Sequence, residues 1–557
     1  MLRWLSSLTD SRPLGSVGGA RKFVAALDRD VFTAADTVCG LLRAYVSDAD
    51  QPQSFSAAPL LELDARADVM TTRLERDYLA ASLQSHSLRE RLWDSGYDWA
   101  MRFADAYRVI LMHTTTTVAG RSATEFARVA ARFFWFRMMA YRFRLYRHEE
   151  WIPGIWAETN QVFRKTCDLG VDHVVVNDIS NPGQATYPAR AFATLLLLRV
   201  GNAGGYTPSQ IHALYKKLEE FTNDIKLTAR AGSDDGFAIN LSGSDGLVPR
   251  HSVPQGGQYL YCDTTTIHAR ALAWLDQVES ADGGRNVTLG GSLSQNPLLA
   301  LRSAVLRIDP EFKPLARASA RNDDRGRVAA TYGVNKVASA ISFDPALLAA
   351  SLEGDAYEYS DVQEIETLGL LRESTLKRLR RSLPPEAARL NLQFWHLRDR
   401  SDTGYRAVIP NTSTQRLRLR DIAVVTEEAP AAGWQVASVV RLLKLPAGHI
   451  ELGLQILSRD VDMIELRTLR SRQGLYRAND ATMVASAVFR AIRLKSAFFG
   501  RPILGASWIM NTVDYQASVV YEVQGSSRRY EASEVVSEGS DWVWVKPNEL
   551  GVRSNQS

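Results

Sequence analysis

The hydrophobic repeat of the chain changes along its length, and this change constrains the fold more than any other feature. Between about residues 21 and 220, apolar residues recur at mixed spacings of three and four with few prolines, which is typical of α-helices. Beyond residue 390 the pattern becomes strand-like. Two runs, 435–445 and 450–458, are joined by Pro446-Ala447-Gly448-His449, which predicts a β-hairpin. We therefore expect a multidomain α+β protein.

These shifts in pattern predict four regions. Residues 1–225 form a helical domain and residues 226–355 a mixed α/β middle region. Residues 356–470 and 471–557 are rich in strand patterns. The helices expected in the first region are 65–84, 88–111, 123–148 and 208–221.

Composition limits the class of protein. The 557 residues are 45% hydrophobic and 23% charged, as in ordinary globular proteins, and the net charge of +4 does not indicate a polymeric nucleic acid as partner. The three cysteines are far apart, which argues against a disulfide framework or a cysteine zinc site. We find no apolar segment of signal-peptide or transmembrane length, so we expect a cytoplasmic protein.

Motifs that would indicate catalysis are missing from the sequence. There is no Gly-x-Ser-x-Gly elbow and no Gly-x-x-x-x-Gly-Lys loop, and the nine dispersed histidines form no His-x-x-x-His pair. We therefore expect neither an enzyme nor a metal site, and no cofactor.

The segment 128–147 interleaves arginines with aromatic residues. Such a segment could stack nucleic-acid bases. A packed helix with arginines along its edges is the interpretation we favour, because the apolar spacing is helical.

One polar motif follows a strand-like stretch: Asp399, Ser401 and Gly404 stand at Asp-x-Ser-x-x-Gly spacing, with Arg406 next to them. On an extended backbone Asp399 and Ser401 project from the same face, where both can meet the edge of a nucleotide base. Gly404 permits a turn with positive φ or a close approach of the backbone to a ligand. About twenty residues upstream lies a basic cluster that suits phosphates and guanine edges, namely Lys377, Arg378, Arg380 and Arg381.

Together these two motifs resemble the signature of PilZ domains, the small β-barrels that bind cyclic di-GMP in bacteria. The resemblance covers about residues 370–470 and implies a PilZ-type antiparallel barrel at 356–470, with residues 471–557 forming a further β module that resembles a second barrel. It also implies that cyclic di-GMP is bound by the basic cluster together with Asp399, Ser401, Gly404 and Arg406.

The sequence departs from the family at one position. The family's Arg-x-x-x-Arg element is here Lys377-x-x-x-Arg381, and lysine cannot fork onto guanine O6 and N7 as arginine does. Two hypotheses stay open. The protein is either a cyclic di-GMP receptor that couples binding to a helical partner-docking module, or a scaffold whose degenerate barrel binds a protein and not the nucleotide.

A second match to the same spacing occurs at Asp178, Ser180 and Gly183. It lacks a basic cluster just upstream and leads into a helix-like segment. We interpret it as a loop without ligand contacts.

Overall fold

The computed structural model describes residues 13–47, 57–81, 86–114, 120–180, 183–201, 204–230, 232, 235–253, 259–281, 297–311, 326–343, 390, 392–410, 417–427, 433–445, 449–469, 488–499, 501–503, 505–517, 519–526 and 528–550. The chain divides into two compact units, one of residues 1–287 with 297–314 and the other of residues 288–296 with 315–557.

Helices dominate the first unit. They are α1 (Val17–Ala25), α2 (Val31–Ser47), α3 (Ala57–Ala80), α4 (His86–His113), α5 (Gly120–Tyr146), α6 (Pro153–Asp168), α7 (Pro188–Gly201), α8 (Pro208–Phe221), α9 (Thr265–Ala281) and α10 (Pro297–Ile308), with short 3-10 turns at Pro13–Gly15, Thr222–Asp224 and Arg250–Ser252.

Local sequence explains where helix α8 begins. Thr207 accepts the backbone N–H of Gln210, and the Gln210 side chain accepts the N–H of Thr207, so that two backbone donors are satisfied. Pro208 occupies the first helical position, where its missing N–H costs nothing. The four helices predicted in this region are confirmed, the first with different bounds: α3 spans Ala57–Ala80, and residues 82–84 of that prediction lie outside the described residues.

Strands are short in the first unit. β1 (Val176–Asn177) and β2 (Ala185–Thr186) form a two-stranded ribbon. A four-stranded sheet has the order β3-β6-β4-β5, formed by β3 (Leu227–Thr228), β4 (Asp235–Ile239), β5 (Val248–Pro249) and β6 (Leu260–Asp263). Within the described part of 65–221 no sheet exceeds two strands, as the helical spacing predicted.

The second unit begins with a six-stranded antiparallel barrel. Its strands are β7 (Arg327–Tyr332), β8 (Gln393–Ser401), β9 (Gly404–Pro410), β10 (Ile422–Glu427), β11 (Gln435–Lys444) and β12 (His449–Ser458). The ring runs β11-β10-β7-β8-β9-β12 and closes through the predicted β11–β12 hairpin, and helix α11 (Val334–Ile341) follows β7. We call this ring the first barrel.

A second six-stranded barrel follows. It consists of β13 (Val461–Leu469), β14 (Val488–Leu494), β17 (Ser507–Asn511), β18 (Val520–Val523), β19 (Arg529–Glu538) and β20 (Trp542–Leu550), in the ring β13-β14-β17-β20-β19-β18. The short strands β15 (Ala497–Phe499) and β16 (Arg501–Ile503) extend the first barrel's sheet from β12. The multidomain α+β class, with a helical region and C-terminal antiparallel barrels, is confirmed. The finer four-region division stays a prediction.

Strand β10 shows how the second unit is held together. Its inward residues Ala423 and Val425 belong to the core of the first barrel. Its outward residues Ile422 and Val424 pack in a separate cluster with α11 and with Trp542 and Trp544 of the second barrel, both of which are buried. A strand buried on both faces needs a continuous apolar run, which Ile422–Val425 supplies. Full burial of each isoleucine or valine side chain in this run contributes about 1.5–3 kcal/mol.

None of the described helices is both long enough and apolar enough to cross a bilayer.

Candidate functional site

The residues of the predicted Asp-x-Ser-x-x-Gly motif lie on the β8–β9 hairpin of the first barrel. Asp399 on β8 is in register with Arg406 on β9, and Ser401 is in register with Gly404. The hairpin therefore brings the four residues together, as a two-residue turn at Asp402 and Thr403 requires. Four further predicted residues, Lys377, Arg378, Arg380 and Arg381, lie outside the described residues.

Arg406 forms ion pairs with two carboxylates, those of Asp399 and Glu451. Arg406 Nη1 lies 3.6 Å from Asp399 Oδ2, and Arg406 Nη2 donates to Glu451 Oε2 at 2.7 Å. Asp399 and Glu451 are buried, whereas the Arg406 side chain is 41% exposed. The hydrogen bond to Glu451 raises the pKa of Arg406. We call these three residues the hairpin cluster.

Sequence reasoning missed Glu451. It lies on β12, which pairs with β9, so the cluster spans three adjacent strands. The sequence offered one signal for Glu451, an acidic residue inside a strand-like run that is mostly apolar. A buried carboxylate of that kind needs a partner, but the sequence alone did not indicate which one.

The Ser401 hydroxyl serves the turn of the hairpin. Its Oγ donates to the carbonyl of Gly404 at 3.3 Å and lies 3.5 Å from Thr403 Oγ1. The hydroxyl is half-buried, and it retains acceptor capacity for a ligand.

Gly404 is required by the neighbouring strand. A Cβ at this position would lie 2.2 Å from the carbonyl oxygen of Leu454 on β12, and the φ of Gly404 is not positive. Gly404 therefore allows the close backbone approach that the sequence predicted, and the neighbour that it approaches is strand β12.

The second Asp-x-Ser-x-x-Gly match, at Asp178, Ser180 and Gly183, lies in the first unit, where Ser180 contacts the buried Arg132. Arg132 holds Asp64 through two hydrogen bonds, Nε to Oδ2 at 2.6 Å and Nη2 to Oδ1 at 2.7 Å. Its Nη1 donates to Ser180 Oγ at 2.7 Å, and Ser180 in turn donates to Asp68 Oδ1 at 2.8 Å. Asp178 Oδ1 accepts the N–H of Ser180, as in an Asx turn. These contacts fit the loop interpretation.

The arginines of helix α5 pair with carboxylates inside the helical unit. Arg132, Arg137 and Arg142 are at most 3% exposed. Arg142 Nη1 lies 2.8 Å from Glu75 Oε1, and Arg137 contacts Asp105 and Glu158. The packed-helix interpretation is confirmed, although these three arginines are buried and do not extend to the surface as expected.

The hairpin cluster presents groups that suit the binding of a polar ligand. Two buried carboxylates share one partly exposed guanidinium, so donors on a ligand can replace Arg406 at Asp399 while Arg406 turns to an anionic group. Within the described residues no group of three or more His, Cys, Asp or Glu could hold a metal ion.

Two comparisons with known proteins bear on this chain. No curated protein matches it. Residues 20–232, which lie in the helical first unit, match the model of the family described as cyclic-di-GMP receptor FimW, N-terminal domain.

Proposed function

We propose that the protein is a non-enzymatic cyclic di-GMP receptor. The observation that carries this proposal is the match of residues 20–232 to the N-terminal domain of a cyclic di-GMP receptor. The hairpin cluster on the first barrel adds to it, because two of its residues, Asp399 and Arg406, belong to the set that the PilZ resemblance implies. The expected location is the cytoplasm.

The ligand-binding surface that we propose combines the β8–β9 hairpin with the upstream basic cluster. Asp399 accepts N–H groups from a guanine, while Ser401 and the backbone at Gly404 contact the ligand beside it. Arg406 and the basic residues Lys377, Arg378, Arg380 and Arg381 bind the phosphates and the O6 and N7 edge of guanine.

Binding then changes the charge pairing of the hairpin. In the unliganded arrangement Arg406 contacts Asp399 and Glu451. When guanine donors occupy Asp399, Arg406 is released toward a phosphate, so the ligand favours a second arrangement of the barrel surface. We infer that this shift is passed to the helical unit, which docks a protein partner.

Calorimetry with cyclic di-GMP tests the receptor proposal. We expect the wild-type protein to bind, and Asp399→Ala to weaken binding by about 1.5–3 kcal/mol, the contribution of a charge-assisted hydrogen bond. The matched control is Asp462→Ala, because Asp462 forms a similar cross-strand pair with Arg493 on the second barrel. Equal losses in both variants would contradict the assigned site.

A scaffold without nucleotide binding is the alternative. Asp399 is only 10% exposed in its side chain and is already paired with Arg406, which favours a structural role for the motif. Lys377 in place of arginine favours it too. Absence of cyclic di-GMP binding at micromolar concentrations would support the scaffold, and binding regained in Lys377→Arg would show that the lysine is the cause.

A further inference from the structure

Glu451 lies on the outer face of the first barrel, on strand β12. Its neighbours Ile450 and Leu452 belong to the barrel core, so alternation along the strand directs the Glu451 side chain outward. Gly453, two residues further along β12, lies opposite Arg406 in the β9–β12 pairing. Because Gly453 has no side chain, the Arg406 guanidinium can cross it diagonally to reach Glu451.

One oxygen of the Glu451 carboxylate lacks a donor. Oε2 accepts from Arg406 Nη2 at 2.7 Å. Oε1 is buried and accepts no hydrogen bond within the described part of the chain, which is a costly state for a carboxylate oxygen. Arg406 Nε is buried too and has no acceptor among the described residues. The hairpin cluster therefore retains one acceptor and one donor for an added molecule.

The Arg406 guanidinium forms the solvent side of the hairpin cluster. Its side chain is 41% exposed, whereas the side chains of Asp399 and Glu451 are 10% and 7% exposed. A molecule that displaces this guanidinium reaches both carboxylates from the solvent. The barrel core stays closed during that exchange, because all three side chains lie on its outer face.

The donors that these two carboxylates hold resemble one edge of guanine. Two nitrogens of a single planar guanidinium face them, Nη1 at 3.6 Å from Asp399 Oδ2 and Nη2 at 2.7 Å from Glu451 Oε2. Guanine carries the same N–C–N unit in its N1–H and its N2 amine, and both nitrogens donate. Adenine has an acceptor at N1 instead. Carboxylates placed for two nitrogens of one guanidinium are therefore placed for this edge of guanine.

We propose that Glu451 determines the base specificity of the nucleotide site by accepting the N2 amine of guanine. N2 is assigned to Glu451 because this nitrogen has two hydrogens and Oε1 is the oxygen that lacks a donor. Asp399 then receives N1–H, and the released Arg406 turns to a phosphate. This inference rests on the proposed function and deepens it, since the Asp-x-Ser-x-x-Gly motif and the basic cluster do not include Glu451.

Cyclic di-IMP tests this contact, because its hypoxanthine bases differ from guanine only in lacking N2. Calorimetric titration of the full chain with cyclic di-GMP and with cyclic di-IMP gives the ratio of the two affinities. We expect the wild type to prefer cyclic di-GMP about tenfold, the effect of one charge-assisted hydrogen bond. In Glu451→Ala this preference should disappear through weaker binding of cyclic di-GMP. Any effect of the altered charge acts on both nucleotides alike and leaves the ratio unchanged.

The matched control is Glu465→Ala, because Glu465 forms a cross-strand pair with Arg490 on the second barrel. This variant should keep the wild-type ratio. Glu451→Gln keeps an acceptor oxygen, so it should retain part of the preference. Thermal melts of each variant show whether the fold is retained.

The outcomes separate this inference from the receptor proposal. Cyclic di-GMP binding with an unchanged ratio in Glu451→Ala overturns the role of Glu451 and leaves the receptor intact. Equal affinity of the wild type for both nucleotides does the same. If Glu451→Ala fails to fold, Glu451→Gln decides: a reduced preference supports the contact, and an equal loss for both nucleotides assigns a structural role. A wild type that binds neither nucleotide overturns the receptor proposal and this inference together.

Discussion

Arg406 holds Asp399 across the β8–β9 hairpin, with 3.6 Å between Nη1 and Oδ2, and the same guanidinium donates to Glu451. Two buried carboxylates therefore share one partly exposed cation. Because the cation is the only partly exposed member, it can move toward water at lower cost than either carboxylate.

Replacing Arg406 should destabilise the first barrel. In Arg406→Ala the carboxylates of Asp399 and Glu451 lose their shared cation, and we expect a loss of about 1–3 kcal/mol in the free energy of unfolding. Urea denaturation measures this loss. Arg493→Ala, which removes the partner of the more exposed carboxylate Asp462, should cost less than about 1 kcal/mol. An equally stable Arg406→Ala would show that the hairpin cluster contributes no net stability.

Gly404→Ala should destabilise the protein for a steric reason. The added Cβ would lie 2.2 Å from the carbonyl oxygen of Leu454, so β9 and β12 would have to separate locally. We expect a loss of about 1–3 kcal/mol, visible as a lower Tm. The control is Gly433→Ala, where nothing lies within 4 Å of the new Cβ. A change no larger than that of the control would contradict the close strand approach.

Arg132→Leu should strongly destabilise the helical unit. Asp64 is fully buried and takes two hydrogen bonds from Arg132, so the variant leaves a buried charge without its cation. A loss of about 3–5 kcal/mol in unfolding free energy is expected. Arg76→Leu, which breaks an exposed pair with Asp77, should change stability by less than about 1 kcal/mol. Chemical denaturation followed by far-ultraviolet circular dichroism distinguishes the two variants.

His396 should make the stability of the second unit depend on pH. Burial, with the charges of Arg327 and Arg398, lowers the pKa of His396 to about 4 from 6.5. The unfolded chain therefore binds the proton more readily, so the stabilising contribution is present above pH 6.5 and is lost as pH falls toward 4. Its size is about 3 kcal/mol.

Unfolding experiments between pH 4 and 8 test this dependence. His396→Gln should flatten the stability profile over that interval, whereas His251→Gln, at an exposed position of the first unit, should leave the profile unchanged. A profile that stays the same in His396→Gln would assign the acid sensitivity to other groups.

Local patterns predicted much of the fold. The three-and-four spacing identified the helices of the first unit, and the paired apolar runs identified the β11–β12 hairpin, because periodicity reports which face of an element is buried. The spacing of Asp399 and Ser401 also predicted that both lie on an extended stretch, which is strand β8. In contrast, two features depend on β12, which lies some fifty residues away in sequence. They are the need for a glycine at position 404 and the contact of Glu451 with Arg406.

The sequence by itself determined the elements, their order and the change from helices to strands, since these follow from interactions between residues close along the chain. Tertiary structure alone decided how β7 pairs with β10 in the first barrel and how Arg406 comes to be shared by Asp399 and Glu451. Those relationships depend on strand register and on contacts between distant segments, which local periodicity does not encode.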